Sequence, residues 1–303
     1  MQKQTALVIG AGIGGIATAA RLAKNGYDVT VLEKESTPGG RCNQIVCDGH
    51  RFDIGPTLFL MPEIWEETFA ALGERMSDHL DLKRIDPTYK VHFEDGLQLE
   101  LTSNLGDMQV QLDKVDKTAF TGFLNYIAEG GKHYKMSVEK FVGRNFYNIF
   151  QYFSPGNLPL LFQLKALRKH YANVSKYFTD ERLKAAFTFQ NMYLGLSPYD
   201  APATYSLLQY TELAEGVWYP MGGMYAAIEA LVKIAERLGV KFIYNAPVKK
   251  MKEERAALRP KEVSKGGKIT SIITEDGREF TADIFVGNAD LPYIYKELLP
   301  TNK

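Results

Sequence analysis

The stretch that most constrains the fold runs from Ala6 to Arg41. Ala6-Leu-Val-Ile9 is a short apolar run of the kind a buried parallel strand needs. Gly10, Gly12 and Gly15 follow at G-x-G-x-x-G spacing. Gly10 permits a tight turn out of the strand. Gly12 lets the backbone approach a pyrophosphate, and Gly15 lets the next helix lie close to the sheet. Residues Gly14 to Lys24 are alanine-rich and suit that helix, and Asn25-Gly26 stops it. Asp28 to Leu32 reads as a second strand, closed by Glu33, whose carboxylate can accept from both hydroxyls of a ribose. The helix N-terminus offers free N–H groups to phosphates. The alternative is a glycine turn that binds nothing. The strand, helix, second strand and acid together favour a dinucleotide, and the acid disfavours a ribose phosphate.

Gly39-Gly40-Arg41 adds a second glycine pair, which lets the backbone turn under a ligand while a guanidinium reaches a phosphate. A surface turn with a solvated arginine is the plainer reading of those three residues alone. The extra motif favours a flavin dinucleotide over a nicotinamide one.

The 303 residues suffice for two domains. With 36 basic and 36 acidic residues the chain has no formal net charge, which argues against nucleic acid as a partner. Cys42 and Cys47 are too few for a disulfide framework and lack the partners of a zinc site; they read as ordinary thiols in a reducing compartment. The first strand begins within a few residues of Met1, leaving no room for a leader before it. No apolar run reaches the length of a bilayer span.

Further along, Gly49 to Pro56 reads as a turn, a short strand and a second turn. Thr57 to Met61 is apolar enough to line a cavity, and Pro62 to Gly73 is an amphipathic helix with Ile64, Phe69 and Leu72 on its apolar face. Tyr89 to Phe93 and Leu97 to Leu101 flank Asp95-Gly96 and read as a hairpin opening a second domain's sheet. Residues 107–135 are helix-like. Residues 141–171 carry a dense aromatic and leucine cluster broken by Ser154-Pro155-Gly156. This is either a helix pair packed in a core or one that dips into a membrane leaflet, with Lys165, Arg168, Lys169 and His170 at the headgroups. Thr179 to Met192 and Ala203 to Leu213 read as helices around a loop at 197–202. His133 and Asp200 are lone polar residues for which structural roles are favoured over catalytic ones.

Gly216 to Gly223 is a turn-rich crossing back to the first domain, followed by an amphipathic helix from Met224 to Leu238. Val240 to Tyr244 reads as a third parallel strand. Val248–Glu254, Lys268–Thr274 and Arg278–Ala282 form a three-stranded meander, with a lysine-rich, solvated loop at 253–268. Asp283 to Gly287 returns to the sheet and Asn288-Ala289-Asp290 turns out of it.

GAGIGG, Glu33, GGR, RFDIGP at 51–56, GVWYPMGGM at 216–224, YNAPV at 244–248 and GNAD at 287–290 together resemble the phytoene desaturases of the flavoprotein amine-oxidase-like superfamily. SPYDAPATYSLLQYTE at 197–212 is similar to the fungal-type carotenoid desaturases. The resemblance runs across essentially the whole chain. It implies an α/β fold: a Rossmann-like FAD-binding domain, with a parallel sheet and three-stranded β-meander, formed by residues 1–85 and 216–303. An α+β substrate domain, residues 86–215, is inserted in it. It implies FAD as cofactor, with Gly10, Gly12, Ile13, Gly14 and Gly15 at the pyrophosphate and Glu33 on the adenosine ribose. Gly40 and Arg41 would help hold the phosphates, Gly55, Pro56 and Thr57 would pass near the flavin ring, and the Val248 backbone would meet the adenine. The substrate implied is an apolar polyene, phytoene or a related carotene, desaturated by hydride transfer to flavin and proton loss, in an intracellular, peripheral membrane enzyme. The family's chains are longer and end with another glycine-containing turn and helix, so this sequence reads as an N-terminal portion. Rab GDP-dissociation inhibitors, which bind prenylated proteins without using flavin, an inactive fragment of a desaturase, and other enzymes of the superfamily, such as amine oxidases and retinol saturases, are the competing readings.

Overall fold

A computed structural model describes residues 3–254 and 267–300. In chain order its main elements are β1 (Thr5–Ile9), α1 (Ile13–Lys24), β2 (Asp28–Leu32), β3 (Asn43–Cys47), β4 (His50–Ile54) and α2 (Pro62–Leu72). Then come β5 (Leu82–Ile85), β6 (Tyr89–His92), β7 (Gln98–Leu101), α3 (Leu105–Asp113), α4 (Ala119–Ser137), α5 (Ile149–Tyr152), α6 (Leu158–Gln163), α7 (His170–Val174), α8 (Glu181–Ala186) and α9 (Ser206–Tyr210). The chain closes with β8 (Val217–Pro220), α10 (Tyr225–Arg237), β9 (Lys241–Ile243), β10 (Val248–Glu254), β11 (Lys268–Thr274), β12 (Glu279–Thr281), β13 (Ile284–Gly287) and α11 (Leu291–Tyr293). Two compact units emerge, Met1–Lys83 with Tyr219–Lys303, and Arg84–Trp218.

The first unit is built on a four-stranded sheet in the order β13-β1-β2-β9, with every pairing parallel. Val8 lies between Val31 of β2 and Val286 of β13. Strand β1 is buried along its length from Ala6, as a continuous apolar run in a parallel sheet requires. Helix α1 buries Ile16 together with Gly15, Ala19 and Ala20, small residues that let it lie close to its neighbours; α10 buries a full stripe including Ile228, Leu231 and Ile234. The antiparallel meander β10-β11-β12 contributes Val248, Met251 and Ile272 to a core shared with Leu7, Ile9 and Leu32. Each such large aliphatic contributes roughly 1.5–3 kcal/mol on burial. Most of the 253–268 loop lies outside the described residues.

Two expectations in this unit change. The stretch before Gly49 is a strand as well: β3 pairs antiparallel with β4 through Asp48-Gly49, both at positive φ as a tight hairpin turn demands. Helix α2 starts at Pro62 and stops at left-handed Gly73, but its buried residues are Phe69 and Leu72, and Ile64 is 39 % exposed.

In the second unit β6 and β7 pair across the Asp95-Gly96 turn and stay a two-stranded ribbon; between β7 and β8 the regular elements are all helical. Leu99 and Leu101 of the ribbon pack with Met108, Leu112, Phe123, Tyr126, Phe178 and Phe187. The helix expected over 107–135 is two helices, α3 and α4, broken at residues 114–118. Helix α4 runs tight against α9, and a Cβ on Gly130 would fall 2.6 Å from the Ser206 carbonyl, so only glycine permits that approach. The helix expected over 179–192 ends at Ala186. Phe187, the residue that ends it, is buried in the core, and a 3₁₀ segment, Phe189–Leu194, follows. The stretch expected to be helical from Ala203 to Leu213 is likewise composite: a 3₁₀ turn, α9 and a π-helical turn.

A further correction concerns the cations assigned to headgroups. His170 is fully buried, its Nε2 2.7 Å from the Tyr126 hydroxyl and its Nδ1 beside the Asn191 carboxamide. Lys165 pairs with Glu129 and also donates to Asn173 Oδ1 at 3.1 Å. Both therefore serve the interior. His133 is structural too, its ring bonded to Ser206 Oγ at 2.8 Å and the Gln163 carbonyl at 3.2 Å.

Candidate functional site

The strand ends dictate where a ligand can sit. In an open parallel sheet the chain leaves β1 toward β2 on one side, while β13 joins β1 from the other. The crevice outside the carboxyl ends of β1 and β13 is the switch point where ligands bind. The glycine turn occupies that crevice. Gly10, at φ 95°, donates its N–H to the Leu32 carbonyl at 2.8 Å and so fixes the turn against β2. A Cβ on Gly15 would come 2.1 Å from the Gly10 carbonyl, which no side chain survives. Gly12 is the N-cap of α1 and supplies no side-chain acceptor, and the first turn holds no acid. The N–H groups of Ile13, Gly14 and Gly15 are thus left for an anion.

Glu33 ends β2 and is 4 % exposed. Its Oε2 accepts from the Ala11 N–H at 2.6 Å and its Oε1 from the Glu35 N–H at 3.0 Å. The sequence points this carboxylate at a ribose; the structure shows that it also braces the glycine turn. An ionised carboxylate has about four acceptor positions, so two remain for hydroxyls.

Gly39 N–H donates to the Ala11 carbonyl at 2.8 Å, and a Cβ on Gly40 would lie 3.2 Å from the Gly12 Cα, so the second glycine pair lies directly on the first. Arg41 is exposed. Its guanidinium makes one 3.5 Å contact with Asp290, a solvated pairing of little strength that leaves it able to turn. Gly55, at φ 112°, packs its Cα against the Arg41 carbonyl, where a Cβ would sit at 1.9 Å. Val248 opens β10 just after two backbone bonds, Ala246 N–H to the Glu33 carbonyl at 2.8 Å and Asn245 N–H to the Glu35 carbonyl at 3.0 Å. Gly10 to Gly15, Glu33, Gly40, Arg41, Gly55 and Val248 are therefore drawn together. Pro56 and Thr57 follow Gly55 in an exposed segment, with no hydrogen bond to the others among the described residues.

Three supporting residues escape a reading of motifs alone. Asp53 of RFDIGP accepts from the N–H groups of Met224 at 2.7 Å and Tyr225 at 3.2 Å, capping α10 from outside. Tyr225 donates its hydroxyl to the Pro38 carbonyl at 3.1 Å and holds the loop that carries Arg41. Asn288 lies against the glycine turn. A shallow cleft of about 790 Å³ elsewhere in this unit, along Lys250–Glu254 and Lys296–Pro300, contains none of these groups. Among the described residues no cluster of His, Cys, Asp and Glu could hold a metal ion.

Residues 13–300 match the family model described as flavin containing amine oxidoreductase. The chain belongs to that family. It is 46 % identical over 98 % of its length to a zeta-carotene-forming phytoene desaturase of Myxococcus xanthus, covering 56 % of that protein. It is 45 % identical over 97 % of its length to a phytoene desaturase of Phycomyces blakesleeanus, covering 49 % of it. The chain thus spans about half the length of the curated relatives it matches. Among solved structures, a putrescine oxidase double mutant superposes with a TM-score of 0.64 at 17 % identity, over 99 % of this chain and 62 % of that one. A Rab GDI from Plasmodium falciparum reaches 0.58 at 13 % identity, over 97 % of this chain and 67 % of that one; both show the fold alone. FAD is the cofactor of the family, and the turn fits it: free helical N–H groups, a glycine where a side chain would block, and a carboxylate at the end of β2.

Proposed function

We propose that this chain carries the adenosine and pyrophosphate half of an FAD site in a carotenoid desaturase acting on phytoene or a related apolar polyene. The observation that carries the reading is the closure of the glycine turn, Glu33 and the GGR loop into one anion- and ribose-accepting crevice, in a chain 46 % identical to a phytoene desaturase. Gly10, Gly12, Ile13, Gly14 and Gly15 hold the pyrophosphate through backbone N–H groups, with Gly40 and Arg41 beside it. Glu33 accepts from the ribose, the Val248 backbone meets the adenine, and Gly55, Pro56 and Thr57 run toward the flavin ring. Residues 1–85 and 216–303 serve as the FAD-binding domain and 86–215 as the substrate domain.

When bound, FAD supplies the acceptor for a hydride, while a proton leaves the neighbouring carbon of the polyene. The chain's own part is to bind, orient and exclude water. The oxidation needs no charged nucleophile, which fits a substrate unit rich in Phe and Tyr.

The same reading includes a membrane surface. Phe150 and Leu167 are 83 % and 84 % exposed, and Val142, Tyr147, Ile149 and Phe162 stand out with them around α5 and α6. Among the described residues no helix is long and apolar enough to cross a membrane. The exposed apolar side chains support the reading of this patch as a contact with one leaflet. The deciding experiment incubates the purified chain with FAD, phytoene and liposomes. Flavin absorbance on the protein, co-sedimentation and a conjugated polyene product are expected. A chain that takes up no flavin refutes the reading; flavin uptake without product leaves a binder, and refutes the desaturase assignment for these residues alone.

A further inference from the structure

The segment that leaves β13 holds one group that the cofactor reading has not used. Asn288 donates its backbone N–H to the Ile9 carbonyl at 2.8 Å, which sets it level with the end of β1 on the far side of the switch-point crevice. Its side chain lies over the glycine turn. A Cβ built on Gly14 would fall 2.7 Å from Asn288 Oδ1. One on Gly15 would fall 2.9 Å from Nδ2, and one on Gly12 3.2 Å from Nδ2. Among the described residues the carboxamide has no hydrogen-bond partner, and it is only half-buried. An amide therefore stands with two N–H donors and an acceptor open, above the three glycines where the pyrophosphate is read to lie.

Gly14 supports the point independently. The dinucleotide turn needs glycine at positions 10, 12 and 15, and Gly14, inside a helix at ordinary φ, is needed by neither the turn nor the helix. The group that alanine would strike there is the Asn288 carboxamide. Gly14 makes room for Asn288, which suggests that the position of this amide matters.

We propose that Asn288 is a cofactor-positioning residue whose carboxamide donates to the pyrophosphate alongside the N–H groups of α1. The assignment rests on the FAD reading above and deepens it. A neutral donor suits the place, because it adds a bond to the anion beside the charge that Arg41 can supply.

The test is calorimetric binding of ADP, FAD and adenosine to the full chain. Asn288→Ala should weaken ADP and FAD about tenfold or more, as loss of a hydrogen bond to a charged acceptor does, and leave adenosine unchanged. Asn288→Asp, nearly isosteric, should weaken ADP further by repulsion. Gly14→Ala should weaken ADP in the wild-type background and have little effect in Asn288→Ala, since both act through the same amide. ADP affinity unchanged or raised in Asn288→Ala, or an equal loss for adenosine and ADP, overturns the assignment while the FAD reading stands. A wild-type chain that binds neither ADP nor FAD overturns both.

Discussion

Replacing Glu212 by glutamine should make the second unit more stable at alkaline pH and change its pH dependence. Glu212 is fully buried, accepts from Gln190 Nε2 at 3.1 Å and from the Tyr89 hydroxyl at 3.3 Å, and meets no cation in these contacts. Burial, only partly offset by these donors, pushes its carboxyl from the ordinary 4.5 up to about 7. The folded state then holds the proton more tightly than the unfolded one. Stability from this group is fully present below pH 4.5, falls as the pH rises through about 7, and stays lost above that. The gap is worth about 3 kcal/mol. His170 acts in the opposite sense. Burial drives it from 6.5 down to about 4, so its contribution is present above pH 6.5 and is lost as the pH falls toward 4, again by about 3 kcal/mol. The two windows overlap and the slopes oppose, so the wild-type profile should be nearly flat between pH 4.5 and 6.5. Glu212→Gln exposes the histidine: its stability should rise steeply with pH there and exceed its own value at pH 4.5 by about 3 kcal/mol at pH 8. Urea unfolding followed by hydrogen exchange in peptides of α4 reports this unit alone. A wild-type-minus-variant difference that stays constant within about 0.5 kcal/mol from pH 4.5 to pH 8 would refute the argument.

Glu33→Gln keeps one acceptor and loses the charge on two backbone bonds, so ADP affinity should fall at least tenfold in a titration and the apo chain should lose about 1–3 kcal/mol in urea. Gly12→Val should abolish flavin retention on a desalting column, since its side chain fills the approach to the turn; retention at wild-type affinity would contradict the placement. Gly130→Val should destabilise the second unit by more than 2 kcal/mol, because the opposing atom is the Ser206 carbonyl of α9's backbone, and thermal unfolding measures it. Phe150→Asp with Phe162→Asp should cut liposome co-sedimentation several-fold and leave ADP binding untouched.

The first unit is largely readable from local signals. β1, α1, β2 and β13 follow from apolar runs bounded by glycine or acid, and the structure keeps nearly the same residues for them and for the three strands of the meander. The hairpin β3–β4 is harder, since Ile45, Val46, Phe52 and Ile54 are all exposed and give no inward face to recognise, although Asp48-Gly49 carries the turn signal. The second unit misleads for a different reason. The run Lys165 to His170 has the composition of a solvated charge cluster, yet His170 belongs to a buried chain of hydrogen bonds. That chain passes from Tyr126 through Gln209 and Gln190 to Glu212, joining residues up to 83 positions apart. Nothing local in the sequence encodes such partners. Asn288 is missed likewise: GNAD reads as a turn, and only the placement of β13 beside β1 brings it over Gly14.

The proposed adenosine half of the site is held by main-chain hydrogen bonds. Four separate stretches meet there. Gly10 bonds to Leu32, Gly39 to Ala11, Ala246 to Glu33 and Asn288 to Ile9, each by a main-chain N–H to a main-chain carbonyl. Such bonds do not depend on side-chain identity, and the four residues that accept them, Ile9, Ala11, Leu32 and Glu33, are all buried. The glycine turn should therefore be preorganised before any ligand arrives, and binding should involve little reordering at this end. Pro56 and Thr57, assigned to the flavin end, have no comparable tie to the crevice among the described residues. ADP, which carries only the part that the backbone frame recognises, is for that reason the ligand whose affinity most directly reports whether this frame is a cofactor site.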